Sequence, residues 1–412
     1  MIPDAPNGPI PVNPITVPKP HSILIVRLSA IGDVIHTLPC LHALRGAFPT
    51  ARIGWLVEEL SAPLLRRHPQ IDALYVIPRK RWRQHPLKTF VSGTKQRFFE
   101  DLRGEEWDVA IDFQGLTKSG WAAWRSGAPA RIGYADKDGR ELNKLFTNRR
   151  VRPSEEARHV IQRNLSLLEP LGVKIPVEMR GAGCVFPDFA EEKKALAPFL
   201  ESLAGAPGHR YIALYPGAGW ATKRWPAAHF ASLAQLLAAG GERYPNASQL
   251  PMVLISGPKE RPLCDRILHG AGLPPDRLRM APPTSLRELA ALLQEAAVVV
   301  GGDTGPVHLA AALGAPVVGI YGASDPARNG PWGRNHTVLQ AKMPCIPCWK
   351  TECGITPRGG STELGGSTSL ECLRAISPEA VAEAVEKALQ RGGGEEKGNI
   401  PGGLAAETEE KR

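Results

Sequence analysis

Ala297–Gly322 reads AVVVGGDTGPVHLAAALGAPVVGIYG. Val298–Val300 is a short apolar run bounded by Gly301 and Gly302, and Pro316–Tyr321 is a second; Pro306–Leu313 between them is compact and alanine-rich, with Gly314 as a stop signal. The pattern predicts strand, helix, strand. Asp303 or Thr304 is placed to cap the helix and Pro306 suits its first turn, while Gly301, Gly302 and Gly305 let a ligand approach the backbone. The unpaired N–H groups of such a helix start form a phosphate site. Any buried βαβ unit needs a cap and a stop, but a cap alone does not call for three glycines with Thr304 and His308 at the same helix end.

Upstream, Tyr211–Tyr215 predicts a strand, and its following loop, PGAGWATKRWP (Pro216–Pro226), precedes a helix at Ala227–Ala239. This loop has neither the GxxxxGK[ST] spacing of a P-loop nor the GxGxxG of a dinucleotide fold. Thr222 and Lys223 lie in it, and Lys223 either counters a phosphate charge or is a surface lysine before a helix. Met252–Ser256 predicts the next strand, after which Glu260 either accepts hydrogen bonds from a ribose or sits in the first turn of a helix, the second reading being preferred. Pro378–Gln390 is a final amphipathic helix.

The first half repeats the alternation. Ser22–Leu28, Arg52–Val57, Ala73–Ile77, Asp108–Asp112 and Ala130–Tyr134 read as strands separated by helical segments, so the chain is α/β with mainly parallel sheets. Apolar residues at Val34, Ile35, Leu38, Leu41 and Leu44 follow helical spacing, with Pro39 either kinking that helix or marking its true first turn. Asp33 stands where a strand's carboxyl end passes into a helix, the place where open α/β sheets hold ligands. By itself it reads as an N-cap, although a carboxylate there is also able to accept a proton from a bound hydroxyl. Arg79, Lys80, Arg81, Trp82 and Arg83 form the densest basic run, read either as a solvated loop or as arginines for carboxylates and phosphates, with Trp82 as a flat apolar surface. Gln114–Lys118 is a second loop at the same sheet edge.

Composition bounds the rest. The 412 residues are 43% hydrophobic, enough for two domains, and no stretch approaches the ~20 apolar residues of a membrane span. Seven prolines fall in the first 20 residues without an apolar run, so residues 1–21 read as a disordered tail rather than a signal peptide. Residues 392–412 read as a second disordered tail, 22–187 and 208–391 as the two domains, and Pro187–Gly208, around a helix at Glu191–Leu203, as the passage between them. Residues 22–180 hold 26 Lys+Arg against 17 Asp+Glu while the remainder holds 24 of each, so the basic excess lies in the N-terminal half. That suits an anionic partner, but no helix-turn-helix, finger or RNA-binding motif supports a nucleic acid. Cys345, Cys348, Cys353 and Cys372 have the ligand types of a thiolate zinc site without a standard spacing, and reduced thiols are the preferred reading.

Taken together, VRLSAIGDVIHTLPCL (Val26–Leu41), DFQGLTKS (Asp112–Ser119), KRWP (Lys223–Pro226) and GGDTGPVHLAAALGAPVVGIYG (Gly301–Gly322), in that order, resemble the ADP-heptose:lipopolysaccharide heptosyltransferases of the GT-B class, over roughly residues 22–390. The resemblance implies two Rossmann-like domains facing a central cleft, the acceptor held by the N-terminal one and ADP-heptose by the C-terminal one, and inverting transfer without a metal or other cofactor. It implies that Asp33 is the general base and that Lys223, with Thr222, Glu260, Gly302, Asp303, Thr304, Gly305 and His308, binds the donor. Asp303 is assigned to sugar hydroxyls or to capping, since a carboxylate is repelled by phosphate. WLVEE (Trp55–Glu59), RKRWR and DFQGLTKS are most similar to members that add the first heptose to Kdo on lipid A; Arg79, Arg81, Arg83 and Lys118 are then expected to face acceptor carboxylates or phosphates. The cysteine cluster is more similar to second-heptose members, and the Gly359–Ser369 insertion departs from both. The implied setting is the cytoplasmic face of the inner membrane, held peripherally. A glycosyltransferase with another acceptor, and a non-catalytic nucleotide-sugar or nucleic-acid binder, stand as alternatives.

Overall fold

The computed structural model describes residues 19–86, 92–135, 138–173, 184–203, 210–354 and 370–392. Nearly all of the two expected tails and the Gly359–Ser369 insertion lie outside the described residues. The chain divides into two compact units. Unit 1 comprises Met1–Glu192 with Thr284–Ala290 and Pro326–Gly330; unit 2 comprises Lys193–Pro283, Ala291–Asp325 and Pro331–Arg412.

Unit 1 is built on a six-stranded parallel sheet of β1 (Ser22–Val26), β2 (Arg52–Glu58), β3 (Ala73–Ile77), β4 (Val109–Asp112), β5 (Ala130–Tyr134) and β6 (Arg149–Val151), in the order β3-β2-β1-β4-β5-β6. Its central strands carry near-continuous apolar runs because helices cover both faces of a parallel sheet. Ile23, Leu24, Ile25 and Val26 of β1 are fully buried, in register with Ile53–Leu56 on one side and Val109–Asp112 on the other. Unit 2 repeats the topology with β7 (Tyr211–Tyr215), β8 (Met252–Leu254), β9 (Leu278–Met280), β10 (Ala296–Gly302), β11 (Val317–Tyr321) and β12 (His336–Gln340), in the order β12-β11-β10-β7-β8-β9. In both sheets the first strand of the unit pairs with its second on one side and its fourth on the other. That is where the winding direction reverses and where a crevice opens at the strands' carboxyl ends.

The opening stretch folds as β10, a helix over Gly305–Ala312 and β11. Thr304 occupies the N-cap position, and Pro306 sits in the first turn, where a missing N–H costs no hydrogen bond. Pro39 marks a first turn rather than a kink: one helix covers Ile31–Ile35 and a second Leu38–Ala47. The RKRWR run is not a loop but the short helix Arg79–Gln84, and Trp82 is turned inward against Phe98 and Phe99, so it offers no flat surface to a ligand. Strands β6, β9 and β12 had no clear sequence signal. All three are sheet edges, where one row of backbone groups faces outward and the apolar run is short. The later segments in unit 1 are fastened by Arg287, which bonds Glu192 and the carbonyl of Asp188 (2.7 Å), and by the Gly330 carbonyl on His159 Nε2 (3.0 Å). A continuous assignment of 208–391 to the second domain misses them, since long-range pairs leave no local pattern.

Candidate active site

In unit 2 the crevice between the ends of β7 and β10 is a cavity of about 240 Å³, lined by the 218–223 loop, Tyr215, Glu260 and the start of the helix Gly305–Ala312. Asp303 follows β10 directly. Its Oδ2 accepts from Lys223 Nζ at 2.6 Å and its Oδ1 bonds His308 Nε2 at 2.9 Å. The Asp303 side chain is 3% exposed. Burial alone would raise its pKa, but the hydrogen bond and charge of His308 and the charge of Lys223 reverse that, and the carboxyl is held well below the usual carboxylate range. Lys223 is pinned from its other side by the Trp220 ring, 4.6 Å from Nζ to the centroid. An ammonium has three donors, so one bond to Asp303 leaves two for a ligand oxygen.

Asp303 does not cap the helix, since Thr304 holds the N-cap position, and each of its carboxylate oxygens has a protein partner. Gly302 has a packing role as well. A Cβ there would lie 2.4 Å from the Lys223 carbonyl, so glycine at this position permits the close approach of the chain's own 216–226 loop. Thr222 and His308 likewise stand behind the cavity wall. Thr222 is buried with its hydroxyl on the Lys350 carbonyl (2.6 Å), and His308 orients Asp303. Asp303, Thr304, Gly305, Lys223 and Glu260 line the cavity. Beyond Pro306, the first-turn N–H groups of Gly305 and Val307 remain outside the helical ladder, as at any helix start.

Glu260 sits at the N-cap position of the helix Arg261–Ala271, but its side chain does not cap it. Instead Oε2 accepts from the Tyr215 hydroxyl (2.9 Å) and the Gly257 N–H (2.8 Å). It fills the space over Gly217, where a Cβ would fall 1.9 Å from its Cδ. The Tyr215 and Gly257 bonds both fall on Oε2, and Glu260 lines the cavity. Burial, then the Glu260 charge, pushes the Tyr215 hydroxyl far above its ordinary pKa, so it stays a donor.

In unit 1 the corresponding crevice lies at the ends of β1 and β4. Arg27, the residue after β1, is buried and bonds the Phe113 carbonyl, and its Nη2 meets Asp33 Oδ1 at 2.7 Å. Asp33 is not the N-cap residue. It lies three positions into the helix and reaches back to the Ala30 N–H (3.1 Å), with its side chain 45% exposed. Lys118 Nζ contacts Ser29 Oγ (3.1 Å) and Glu58 Oε1 (2.9 Å), and Arg79 Nη1 lies 3.0 Å from both oxygens of Glu58. The structure therefore brings Arg79 and Lys118 together on a buried glutamate. Arg81 and Arg83 are exposed, without an ion-pair partner among the described residues. Sequence reasoning missed Glu58, Arg27, Ser29, Tyr215 and Trp220. An acid closing an apolar strand, as Glu58 closes β2, was the available signal.

No disulfide joins any of the seven cysteines. Cys372 is buried and its pKa is raised, first by burial and then by the nearby Cys345, Cys353 and Cys348. Among the described residues no group of three His, Cys, Asp or Glu side chains is arranged to hold a metal ion. No helix among them is long and apolar enough to cross a membrane.

Comparison with known proteins places this geometry. The model of glycosyltransferase family 9 (heptosyltransferase) matches residues 95–357, a span that contains Lys118 and every donor-side residue above. Lipopolysaccharide heptosyltransferase 1 of Pseudomonas aeruginosa is 30% identical over 370 residues, 89% of this chain and 98% of the relative. The same-named protein of Escherichia coli K12 is 31% identical over 77% of this chain and 93% of its own length. Among solved structures, E. coli heptosyltransferase WaaC with ADP superposes with a TM-score of 0.65 at 26% identity, covering 89% of this chain and 99% of that one. A family 9 glycosyltransferase from Veillonella parvula, at 23% identity and TM-score 0.70 over 90% of this chain and 98% of its own, shares the fold. The chain belongs to glycosyltransferase family 9, the heptosyltransferases, and is a glycosyltransferase of the GT-B fold class.

Proposed function

We propose that this enzyme transfers L-glycero-D-manno-heptose from its ADP derivative to Kdo on lipid A, the first heptose of the lipopolysaccharide inner core. Relatives named lipopolysaccharide heptosyltransferase 1 support this reading over a second-heptose acceptor. The observation that carries it is the cavity at the β7–β10 crevice, where a buried acid presents Lys223 beside a helix N-terminus. In unit 2 the diphosphate meets Lys223 and the N–H groups at the helix start, and the ribose hydroxyls meet Glu260 Oε1. Leaving ADP gains negative charge in the transition state, so a fixed cation and fixed donors lower the barrier there more than they tighten ground-state binding. In unit 1 Asp33 takes the proton of the acceptor hydroxyl as its oxygen attacks the anomeric carbon, inverting it. Arg79, Arg81, Arg83 and Lys118 meet acceptor carboxylates and phosphates, Arg79 and Lys118 by exchanging part of their contact with Glu58.

In this reading the charge on the leaving group is handled by side chains and N–H groups alone, without a metal or other cofactor. The cysteine cluster is a set of reduced structural thiols, a point that zinc analysis of the purified protein tests. The acceptor lies at a membrane, so the enzyme works peripherally at its cytoplasmic face. The decisive experiment measures ADP release from ADP-heptose with Kdo-lipid A and, in parallel, with an already heptosylated acceptor. Turnover with the first alone is expected. Turnover only with the second would move the acceptor one step along the core, and a protein that shifted DNA but released no ADP would overturn the enzyme reading.

A further inference from the structure

Unit 1 holds four large apolar side chains out in solvent: Leu60, just after β2, and Trp124, Leu142 and Leu145 on two segments that pack on each other. The short 3₁₀ turn Asn143–Leu145 packs on the helix Thr117–Arg125. Asn143 is fully buried, and its Nδ2 donates to Asp112 Oδ2 (2.6 Å) and the Leu116 carbonyl (2.9 Å). The Leu142 N–H is held by Thr117 Oγ1 at 3.0 Å. Contact is so close that a Cβ at Gly120 would lie 2.6 Å from Asn143 Nδ2 and 3.2 Å from Phe146 Cβ. With Asn143 fixed inward, its neighbours turn outward: Leu142 is 57% exposed and Leu145 67%. Trp124, near the end of the same helix, is 48% exposed, and its ring lies 6.3 Å from that of Phe146.

The segment that carries Leu142 and Leu145 is strongly basic. Residues 140–152 contain Arg140, Lys144, Arg149, Arg150 and Arg152 against the single acid Glu141, and Glu141 is engaged by the Thr117 N–H (3.0 Å). Arg140, Lys144, Arg149 and Arg150 are exposed, the last two on the edge strand β6, and Arg150 Nη2 donates to the Lys144 carbonyl (2.7 Å). Protruding Trp and Leu tips on and beside a segment of exposed Arg and Lys match an interface that is apolar inside and anionic at its surface.

We propose that this face, Trp124, Leu142 and Leu145 with Arg140, Lys144, Arg149 and Arg150, docks the enzyme on an anionic lipid bilayer. The apolar tips enter the headgroup boundary and the cations meet lipid phosphates. A second copy of the same face would set two basic segments against each other, so charge favours the bilayer. The inference deepens the proposed function and rests on it for its purpose, since a lipid-borne acceptor must be met at a membrane. Thr117, which holds Leu142, adjoins Lys118 of the acceptor-side cluster, so docking here brings that cluster to the lipid surface.

The test is flotation of the full chain with phosphatidylglycerol–phosphatidylcholine vesicles, compared with phosphatidylcholine alone. Binding that needs the anionic lipid and weakens with salt is expected. The triple variant Trp124→Ser, Leu142→Ser, Leu145→Ser should lose about tenfold or more in partitioning, and Lys144→Glu with Arg149→Glu roughly fivefold or more per charge. Leu145→Ser alone, at the most exposed of the three, keeps the fold and should show a smaller loss in the same direction. Transfer to a water-soluble deacylated acceptor should be unchanged in every variant. Wild-type vesicle binding by both multiple variants overturns the proposal, as does a wild-type chain that ignores anionic vesicles. So does light scattering that shows a dimer dispersed by the serine variants with vesicle binding intact. If no acceptor supports ADP release while flotation behaves as expected, the heptose-transfer reading fails and the docking face stands.

Discussion

The two units answer the same topological problem with opposite charges. At the β7–β10 crevice of unit 2 the acid is buried and the cation is presented: Asp303, 3% exposed, holds Lys223 toward the cavity. At the β1–β4 crevice of unit 1 the cation is buried and the acid is presented: Arg27 lies beneath Asp33, whose side chain is 45% exposed. A diphosphate calls for a fixed positive group, and a hydroxyl that must lose its proton calls for a fixed negative one. Each presented group is steered by an opposite charge placed behind it, where the low-polarity interior strengthens the pairing. In the proposed function, one parallel-sheet plan thereby serves as a leaving-group site in one unit and supplies a base in the other.

The largest expected effect separates those roles. Asp33→Asn keeps size and the bond from Ala30 but removes the proton acceptor, so turnover should fall about 10²–10⁴-fold, the range for loss of general acid–base assistance. ADP affinity by calorimetry should not change, and retained turnover would remove Asp33 as base. Stability should drop by less than for a fully buried pair, because the carboxylate is half in water and Arg27 keeps its bond to the Phe113 carbonyl. Asp303→Asn breaks the comparison from the other side. It strands Lys223 and His308 at a buried position, which should cost about 3–5 kcal/mol in urea unfolding and weaken ADP binding as well. Equal stability losses in the two variants would mean that the burial contrast has no energetic weight.

Acid should separate the units too. In unit 1 His68 is buried with Nε2 on the Val185 carbonyl (2.9 Å) and Nδ1 accepting from the Gln70 N–H (3.2 Å), a neutral tautomer. Burial lowers its pKa to about 4. The unfolded chain therefore takes up a proton near pH 6.5 that the folded chain refuses until about 4, and stability declines across that window by up to roughly 3 kcal/mol. Asp303 has the same sign in a lower window. Its folded pKa is depressed, so its contribution is complete above about 3.9, the unfolded value, and is lost only as pH falls toward the folded one. Thermal unfolding of His68→Gln against wild type should show the gap between them narrowing as pH falls below about 6.5; a constant gap would discard His68 as the source. The smallest effect is assigned to Glu260→Gln, which should cost about 1 kcal/mol in ADP affinity. That loss should disappear with an ADP analogue lacking the ribose hydroxyls.

Legibility followed the range of the interactions. The helix Ala227–Ala239 and the strands β3, β5 and β7 stand where the pattern put them, since apolar periodicity and local stop signals define them within a few residues. The edge strands β6, β9 and β12 carried too little pattern. At the site, the donor-side loops were readable because glycine, proline and a cation concentrate there. Glu58 was not, because its partners Arg79 and Lys118 arrive from 21 and 60 residues away.

For the stretch 297–322, sequence alone determined a strand, a capped helix start and a second strand, and with three further motifs it determined the family. Only the tertiary structure decided what the residues at that helix start do. It put Gly302 against the Lys223 carbonyl and gave both oxygens of Asp303 to Lys223 and His308. It turned Glu260 from a capping position to the cavity wall. Local propensity is a property of neighbours in the chain, whereas charge pairing and burial are set by neighbours in space, and Lys223 meets Asp303 across 80 residues.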